Sequence, residues 1–534
     1  MASITKQRIG KYTYLYESVS YRDEHGRPRN NKTKIGKIDP KTGETIYTTE
    51  YLAKNPTSGL SVHPICLHAK EVPTEIKKYA EQFFDSLKTF GVFWFLLKIA
   101  EKIGLIDIMQ QVFPKIWQEI FTIACYLVVS DKPVMYCENW LDENEWLEVG
   151  NMSSQRISEL FTRFDEGQRY HFYRLWSSYI QEQEYLALDI TSISSYSKQI
   201  TDCEWGHNRD NEKLPQINLC MLYGESSRLP VFQTNYSGSL SDVTTLESTI
   251  SEFRAIVGER DINVVMDKGF YSAKNVTFLI RQGVHFLVAM SFNNKTAKQL
   301  VSNERQDIDR IDNVIRASDA PIRGVHRLIH WPNSDKELHA HIYYDPEKAI
   351  KERNDLYGHI AKLKEIATND PNNTKFKKDI ERYLRIEKSD TSGKKILIRE
   401  DVVAKSLETT GWFILLSDQI EDSQVAYDIY RMKDVVEKSF WKYKNSLGLE
   451  RLRVHTDERA LNKTFIAFIA LILSSHIHNI MSQKELYKIM TFDKLFLSLS
   501  KLKSATVSGH RVLRPLSKQL KDVFDIFTLP LPVG

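Results

Sequence analysis

Cysteine is scarce and scattered. The chain has five, Cys66, Cys125, Cys137, Cys203 and Cys220, and no two form a CxxC pair. That spacing excludes a disulfide scaffold, gives zinc no support and predicts buried free thiols in a reducing compartment. Long apolar runs are missing too. The longest, Phe465–Ile480, is broken by Ser474, Ser475, His476, His478 and Asn479 and is short for a bilayer crossing. It predicts a buried helix, with no membrane partner. The opening MASITKQRIGKYTYLY lacks the apolar core of a signal peptide, so a cytoplasmic protein is expected. Repeats and low-complexity tracts are absent. Neither sign of charge dominates: 73 Lys and Arg stand against 69 Asp and Glu, a net charge of +4. The overall balance therefore does not announce a nucleic-acid binder.

What is present is a soluble, multi-domain composition: 534 residues, 42% hydrophobic and 27% charged. Charge is unevenly spread. From Arg431 onward 18 Lys and Arg face 9 Asp and Glu, a basic tract that suits a DNA track or an ordinary solvated surface. Residues 11–60 alternate aromatic and polar positions around the turn signals DEHGRP and DPKTGE, which predicts a β-rich module over 1–73. Residues 74–180 change to helical period and predict an all-α domain. From 181 the pattern becomes α/β. YLALDI, QINLCMLYG and LPVFQTNY predict three strands, SDVTTLESTISEFRAIVG a helix ended by Gly258, INVVMD a strand, SAKNVTFLIRQG a helix capped by Gly283, and HFLVAM a strand. That order predicts an RNase H-like core whose first part spans 181–297. Residues 298–405 interrupt it with a strand, HAHIYYD, and a charged helical hairpin. The second part, 406–480, resumes with GWFILLS and a long helix from about Ser423 to Asn445. A basic helical segment, 481–534, follows.

Two predicted strands end in an acid, Asp189 and Asp267. A carboxylate there is costly to desolvate unless it is compensated. A divalent metal is one compensation, since Mg²⁺ favours carboxylate oxygens; capping the turns Asp189-Ile-Thr-Ser and Asp267-Lys-Gly is another. A third acid lies in YDIYRMKDVVEKSFWKYKNSLGLERLRVHT. Tyr430, Lys433, Glu437 and Lys444 follow at steps of three, four and seven, on one helical face. A carboxylate among lysines and a tyrosine suits a site holding metal and phosphate; an exposed Glu–Lys ladder gives the same spacing.

These segments together resemble a known family. Tyr430-x2-Lys433-x3-Glu437-x6-Lys444 is similar to the Tyr-Arg-Glu-Lys signature of insertion-sequence-4 transposases, with Lys in place of the usual Arg. MDKGFYS resembles the second-acid motif, Lys268 again standing where Arg is usual. LALDITSIS resembles the first-acid strand, and GHNRDNEKLPQINLCMLYG, GSLSDVTTL and the leader YESVSYRDEHGRPRNNKTKIGKID follow the family's course. Lys does not reproduce the bidentate grip of Arg on phosphate, so the departures bear on DNA contacts and not on the acids.

The resemblance implies a DDE transposase that performs metal-dependent cut-and-paste transposition of a prokaryotic insertion sequence, in the nucleoid. Asp189, Asp267 and Glu437 would be catalytic and would hold two Mg²⁺ ions about 3.5–4 Å apart, with Mn²⁺ as a substitute. Tyr430, Lys433, Lys444 and Lys268 would contact DNA phosphates. Trp331 and Trp412 would be candidates to stack on an extruded base. The implied partners are double-stranded DNA, as terminal inverted repeats and target, and a second copy of the chain in a homodimer on DNA. The ends would be recognised by the helical domain 74–180, a candidate for DNA binding or dimerisation, or by the N-terminal β-rich module. An RNase H-like nuclease without joining activity, or an inactive DNA-binding derivative, would share most of these features.

Overall fold

The computed structural model describes residues 2–10, 12–55, 74–210, 212–315, 321–332, 334–370, 374–389, 393–507 and 509–532. Cys66 lies outside them; Cys125, Cys137 and Cys220 are buried free thiols and Cys203 is half-buried. The chain divides into two compact units, Met1–Asp85 and Ser86–Gly534.

The first unit is a meander of four antiparallel strands in chain order: β1 (Ala2–Ile9), β2 (Tyr12–Arg22), β3 (Pro28–Ile38) and β4 (Thr45–Tyr47). Both predicted turns are present. Asp23 accepts from the amides of His25 and Arg27, Asp39 from those of Lys41 and Thr42, and Gly26 and Gly43 supply positive φ. The apolar core is small, Leu15 and Ile35, and both faces of the strands are largely exposed.

In the second unit, helices Gly91–Lys102, Leu105–Val112, Trp117–Val129 and Glu166–Ile180 form a layer on the long helix Asp457–Gln483. Phe113, Phe172 and Tyr173 meet Phe465 ring to ring. The helix Asp457–Gln483 has the length and apolarity for a membrane span, yet every residue from Asn462 to Ser475 is buried within the protein. The interruptions at Ser474 and Ser475 are therefore accommodated in a protein core. A short strand, β5 (Lys88–Thr89), precedes this layer.

The centre is a mixed α/β arrangement on a nine-stranded sheet. Its strands are β6 (Leu186–Ser194), β7 (Gln216–Gly224), β8 (Pro230–Ser237), β9 (Asn263–Met266), β10 (His285–Ala289), β11 (Val314–Ile315), β12 (Ile322–His330), β13 (Glu337–Tyr344) and, after the hairpin β14 (Leu384–Ser389) and β15 (Gly393–Ile398), β16 (Trp412–Ser417). The order is β11-β12-β13-β16-β10-β9-β6-β7-β8. Strands β6, β9 and β10 are parallel; β6–β7–β8 and β10–β16–β13 run antiparallel. Ser241 precedes the helix Asp242–Val257, and Gly258 and Gly283 take positive φ at the two predicted helix ends.

Four expectations change. The interruption at 298–405 is not wholly separate, because β11–β13 extend the same sheet through β16. The charged hairpin is not helical throughout. After Lys377–Tyr383 the chain turns extended, since Leu384 and Ile386 alternate with Arg385 and Glu387 and pair with Ile398 and Ile396. The helix over 423–445 is two helices, Ser423–Met432 and Asp434–Asn445, meeting at Lys433. The C-terminal segment also contains β17 (Lys503–Val507) and β18 (His510–Leu513), an antiparallel hairpin whose turn includes Gly509 at φ +78°; β17 also pairs with β5. Alternation through SATV and the pairing of that strand with HRVL outweigh the helical reading there.

Candidate active site

Asp189 belongs to a strand that is buried from end to end. It is in mid-strand rather than at a strand end, because Ile190–Ser194 keep pairing with β7 as far as Gln216. Asp267 immediately follows β9 and caps the tight turn Lys268–Phe270, its Oδ1 accepting the Lys268 amide at 2.7 Å. The parallel register sets Leu188 opposite Met266. The next residue of each strand is an acid, so register alone places Asp189 beside Asp267 on one side of the sheet.

The third acid arrives from the other half of the fold. Helix Asp434–Asn445 packs on β6 through a face that includes Val436 and Phe440, and Tyr430 and Lys433, just before it, face Asp267. The Tyr430 hydroxyl donates to Asp267 Oδ1 at 3.2 Å. Lys433 Nζ donates to Glu437 Oε1 at 2.8 Å and stands 4.0 Å from Asp267 Oδ2. Its side chain is only 8% exposed, so the ammonium is an internal counter-charge among acids. Burial pulls the Lys433 pKa down, but the bond to Glu437 and the fields of Asp267 and Asp189 leave it above its ordinary value.

Asp189 is buried, and its pKa is pushed from 3.8 up to about 6 by desolvation, against the opposing pull of Arg209, Lys433 and the Ile190 amide. Arg209 bridges two acids: Nη1 donates to Asp189 at 3.2 Å and Nη2 to Asp242 at 2.6 Å. Its loop is tied down by Asn208 and Glu212, both bonded to Ser194 Oγ, and by Arg451 on Glu212. Neither Arg209 nor Asp242 stands out by spacing; the signal was GHNRD and GSLSD recurring beside the acid motifs. Tyr430 has its phenol pKa raised, by burial first and then by Asp267.

The donor chemistry fits a hard divalent cation, since three carboxylates supply only oxygen. As the side chains stand, Lys433 and Arg209 compensate the acids. No three Asp, Glu, His or Cys side chains among the described residues are gathered closely enough to chelate an ion unaided. Asp267, Tyr430, Lys433 and Glu437 open onto a cleft of ≈ 1120 Å³, which Lys348, Arg382 and Lys405 of the 298–405 segment also line.

The other predicted contacts are placed unequally. Lys268 is exposed on the cleft wall beside Asp267. Lys444 is buried and donates to Asp210 at 2.6 Å. Trp412, 6% exposed, packs against Tyr344 at the cleft margin. Trp331, 5% exposed, donates to Thr277 and lines a different cavity, against helix Ala273–Gln282. Neither ring presents an open face for stacking here. Trp441, one turn beyond Glu437, is the exposed tryptophan of that helix.

The family model for the transposase DDE domain matches residues 181–473, a span that contains all three acids. The chain belongs to the transposase DDE domain family. Members of this family are polynucleotidyl transferases that generally use divalent metal ions. No curated protein matches the chain. Among solved structures, the DDE-domain chain is similar to the piggyBac transposase in a cryo-EM synaptic complex with hairpin DNA, at 12% identity, covering 82% of this chain and 77% of that one, with a TM-score of 0.33. So loose an overlap carries no argument about this DDE domain's site.

Proposed function

We propose that this chain is a DNA transposase that excises an insertion sequence by cutting at its ends and joins them to target DNA, with an RNase H-like core as its catalytic scaffold. The observation that carries the reading is the Lys433 ammonium, bonded to Glu437 and 4.0 Å from Asp267, next to the strand register that sets Asp189 beside Asp267, within the family's matched span. The order β8-β7-β6-β9-β10, three antiparallel strands followed by two parallel ones, supports the RNase H-like reading.

Asp189, Asp267 and Glu437 would hold two divalent cations, Mg²⁺ or Mn²⁺, which in such sites activate an oxygen nucleophile and stabilise the leaving oxygen. The chain's own groups do the rest. Tyr430 orients Asp267 through its hydroxyl, and Lys433 balances the acids until the site is loaded. Exposed Lys268 reaches a DNA phosphate, adding position and charge rather than sequence information. In the first reaction water attacks the phosphodiester at the element's end, the P–O3′ bond breaks, and the 3′ oxygen leaves with a proton. In the second that 3′ hydroxyl attacks a target phosphodiester, losing its proton as the target's own 3′ oxygen departs. Lys444 serves the phosphate only if Asp210 releases it, and Trp331 or Trp412 takes a base only if its packing opens. Two ends must be held together, so the acting form is at least a homodimer on double-stranded DNA.

The test is incubation with Mg²⁺ or Mn²⁺ and DNA carrying the element's ends, comparing wild type with Glu437→Ala. Cutting at the boundary and joining by wild type alone is the expected result. Cutting without joining would leave a nuclease, binding without cutting an inactive derivative, and cutting by both proteins would place the active site elsewhere.

A further inference from the structure

The N-terminal sheet has two chemically different faces. Tyr12, Tyr14 and Tyr16 alternate along β2 on one of them. Register places Lys37 opposite Tyr14, Lys34 opposite Tyr16 and Lys32 opposite Ser18, all on that face. An odd spacing would normally send Lys34 and Lys37 to opposite sides. A bulge prevents it: β3 gains one residue between the partners of Leu15 and Tyr16, which brings both lysines to the tyrosine side while Ile35 is buried. Cation–ring contacts agree, with Lys34 Nζ 4.0 Å from the Tyr14 ring centre and Lys37 Nζ 5.9 Å from that of Tyr12. All three lysines are exposed and the tyrosines are half-buried. Glu17 is the one carboxylate in β1–β3, and its register with Ile4 and Thr33 sets it on the other face, with Lys6 and Arg8.

We infer that the face of Tyr12, Tyr14, Tyr16, Lys32, Lys34 and Lys37 docks the phosphate backbone of double-stranded DNA. Lys32 and Lys34 are two residues apart on one strand, so their heads repeat at about 7 Å along a face to which β1–β3 contribute no carboxylate. That is a row of cations for a row of phosphates, and the tyrosine hydroxyls are suited to the same oxygens. An acidic protein would supply irregular charge; duplex DNA supplies it regularly. The inference rests on the DNA-acting reading above and adds where, outside the acids' cleft, the duplex is gripped.

The experiment uses the full chain in EDTA and a labelled random-sequence duplex, with affinity measured by fluorescence anisotropy across a salt series. Each phosphate contact contributes about 0.9 to the slope of log affinity against log salt. K34Q/K37Q is expected to flatten the slope by about 1–2 and to weaken binding at fixed salt. K6Q/R8Q, an equal loss of charge from the opposite face, is expected to leave the slope unchanged, and K34R/K37R to keep it at the wild-type value. A K34Q/K37Q slope equal to wild type, equal losses in both glutamine pairs, or failure of K34R/K37R to retain the slope would each overturn the inference. End cleavage is scored separately with metal present. Wild-type cutting with an unaltered K34Q/K37Q slope defeats this inference alone; face-dependent binding by a wild type that never cuts defeats the transposase reading alone.

Discussion

Lys444 Nζ donates to the Asp210 carboxylate at 2.6 Å, tying the helix of the third acid to the loop that reaches the first. Arg209, next in the chain to Asp210, is the residue on Asp189. The ion pair thus fixes the loop from one side while Glu212 and Asn208 fix it from the other. Asp210→Asn leaves a mostly buried ammonium without its counter-charge. Because Asp210 is itself 46% exposed, the expected loss is modest, about 1–2 kcal/mol of unfolding free energy. Lys444→Met should cost a similar amount, and the double variant less than the sum. A urea double-mutant cycle reads the coupling, and strict additivity would mean that the pair contributes nothing.

Asp189 makes the metal-free protein sensitive to pH. Its folded pKa, about 6, lies above the unfolded value near 3.8. Between these values the folded state binds more protons than the unfolded state, so this group makes stability fall as pH rises from about 4 to 6. Asp189→Asn removes the penalty and should stabilise the protein at pH 7 by about 2 kcal/mol in EDTA, with little effect near pH 4. Urea unfolding at the two pH values checks the sign; a destabilised Asn variant at pH 7 would refute it.

Arg209 competes with any cation for Asp189. Arg209→Gln removes a positive charge 3.2 Å from that carboxylate. The variant is expected to bind Mn²⁺ about 10-fold more tightly, which corresponds to about 1.4 kcal/mol. Asp242→Asn should act oppositely by freeing both arms of Arg209 for Asp189. Mn²⁺ titration followed by electron paramagnetic resonance measures each; weaker binding by the Gln variant would show that Arg209 supports the site instead of screening it.

Gly206 begins the loop that carries Arg209. A Cβ there would run into the backbone carbonyl of Gly238 and, because the obstacle is backbone, no side chain is available to swing aside. Gly206→Ala should cost about 1–3 kcal/mol and lower end cleavage by displacing the loop. Gly150→Ala, with open space around the new methyl, is the matched control. Equal thermal stability of the two variants would remove the argument.

Much of this was legible in the chain itself. Periodicity located β6 to β10 and the helices between them because strand and helix patterns are local, set by side chains two or four residues apart. The turn and cap residues, Gly258, Gly283, Asp23 and Asp39, act through their own backbone and read equally well. The candidate acids stood out by motif, and YLALD and INVVMD supplied the strand context. Misreadings fell where local signals were balanced. Leu384–Ser389 and Lys503–Val507 have alternating sequences that serve as helix or strand, and pairing partners decided between them.

What the sequence determined by itself was the succession of strands and helices along residues 181–297, the candidate acids and the transposase DDE family. What the tertiary structure decided was every relation between residues distant in the chain. Parallel register set Asp189 beside Asp267, and packing of helix Asp434–Asn445 on β6 brought the Lys433 ammonium to Asp267. Long-range packing turned Lys444 inward to Asp210, closed Trp331 and Trp412 into the protein, and brought Arg209 between Asp189 and Asp242. The division has a physical cause. A helix face or strand parity follows from spacing along the chain, whereas the partner of a buried charge follows from which distant surfaces exclude water together.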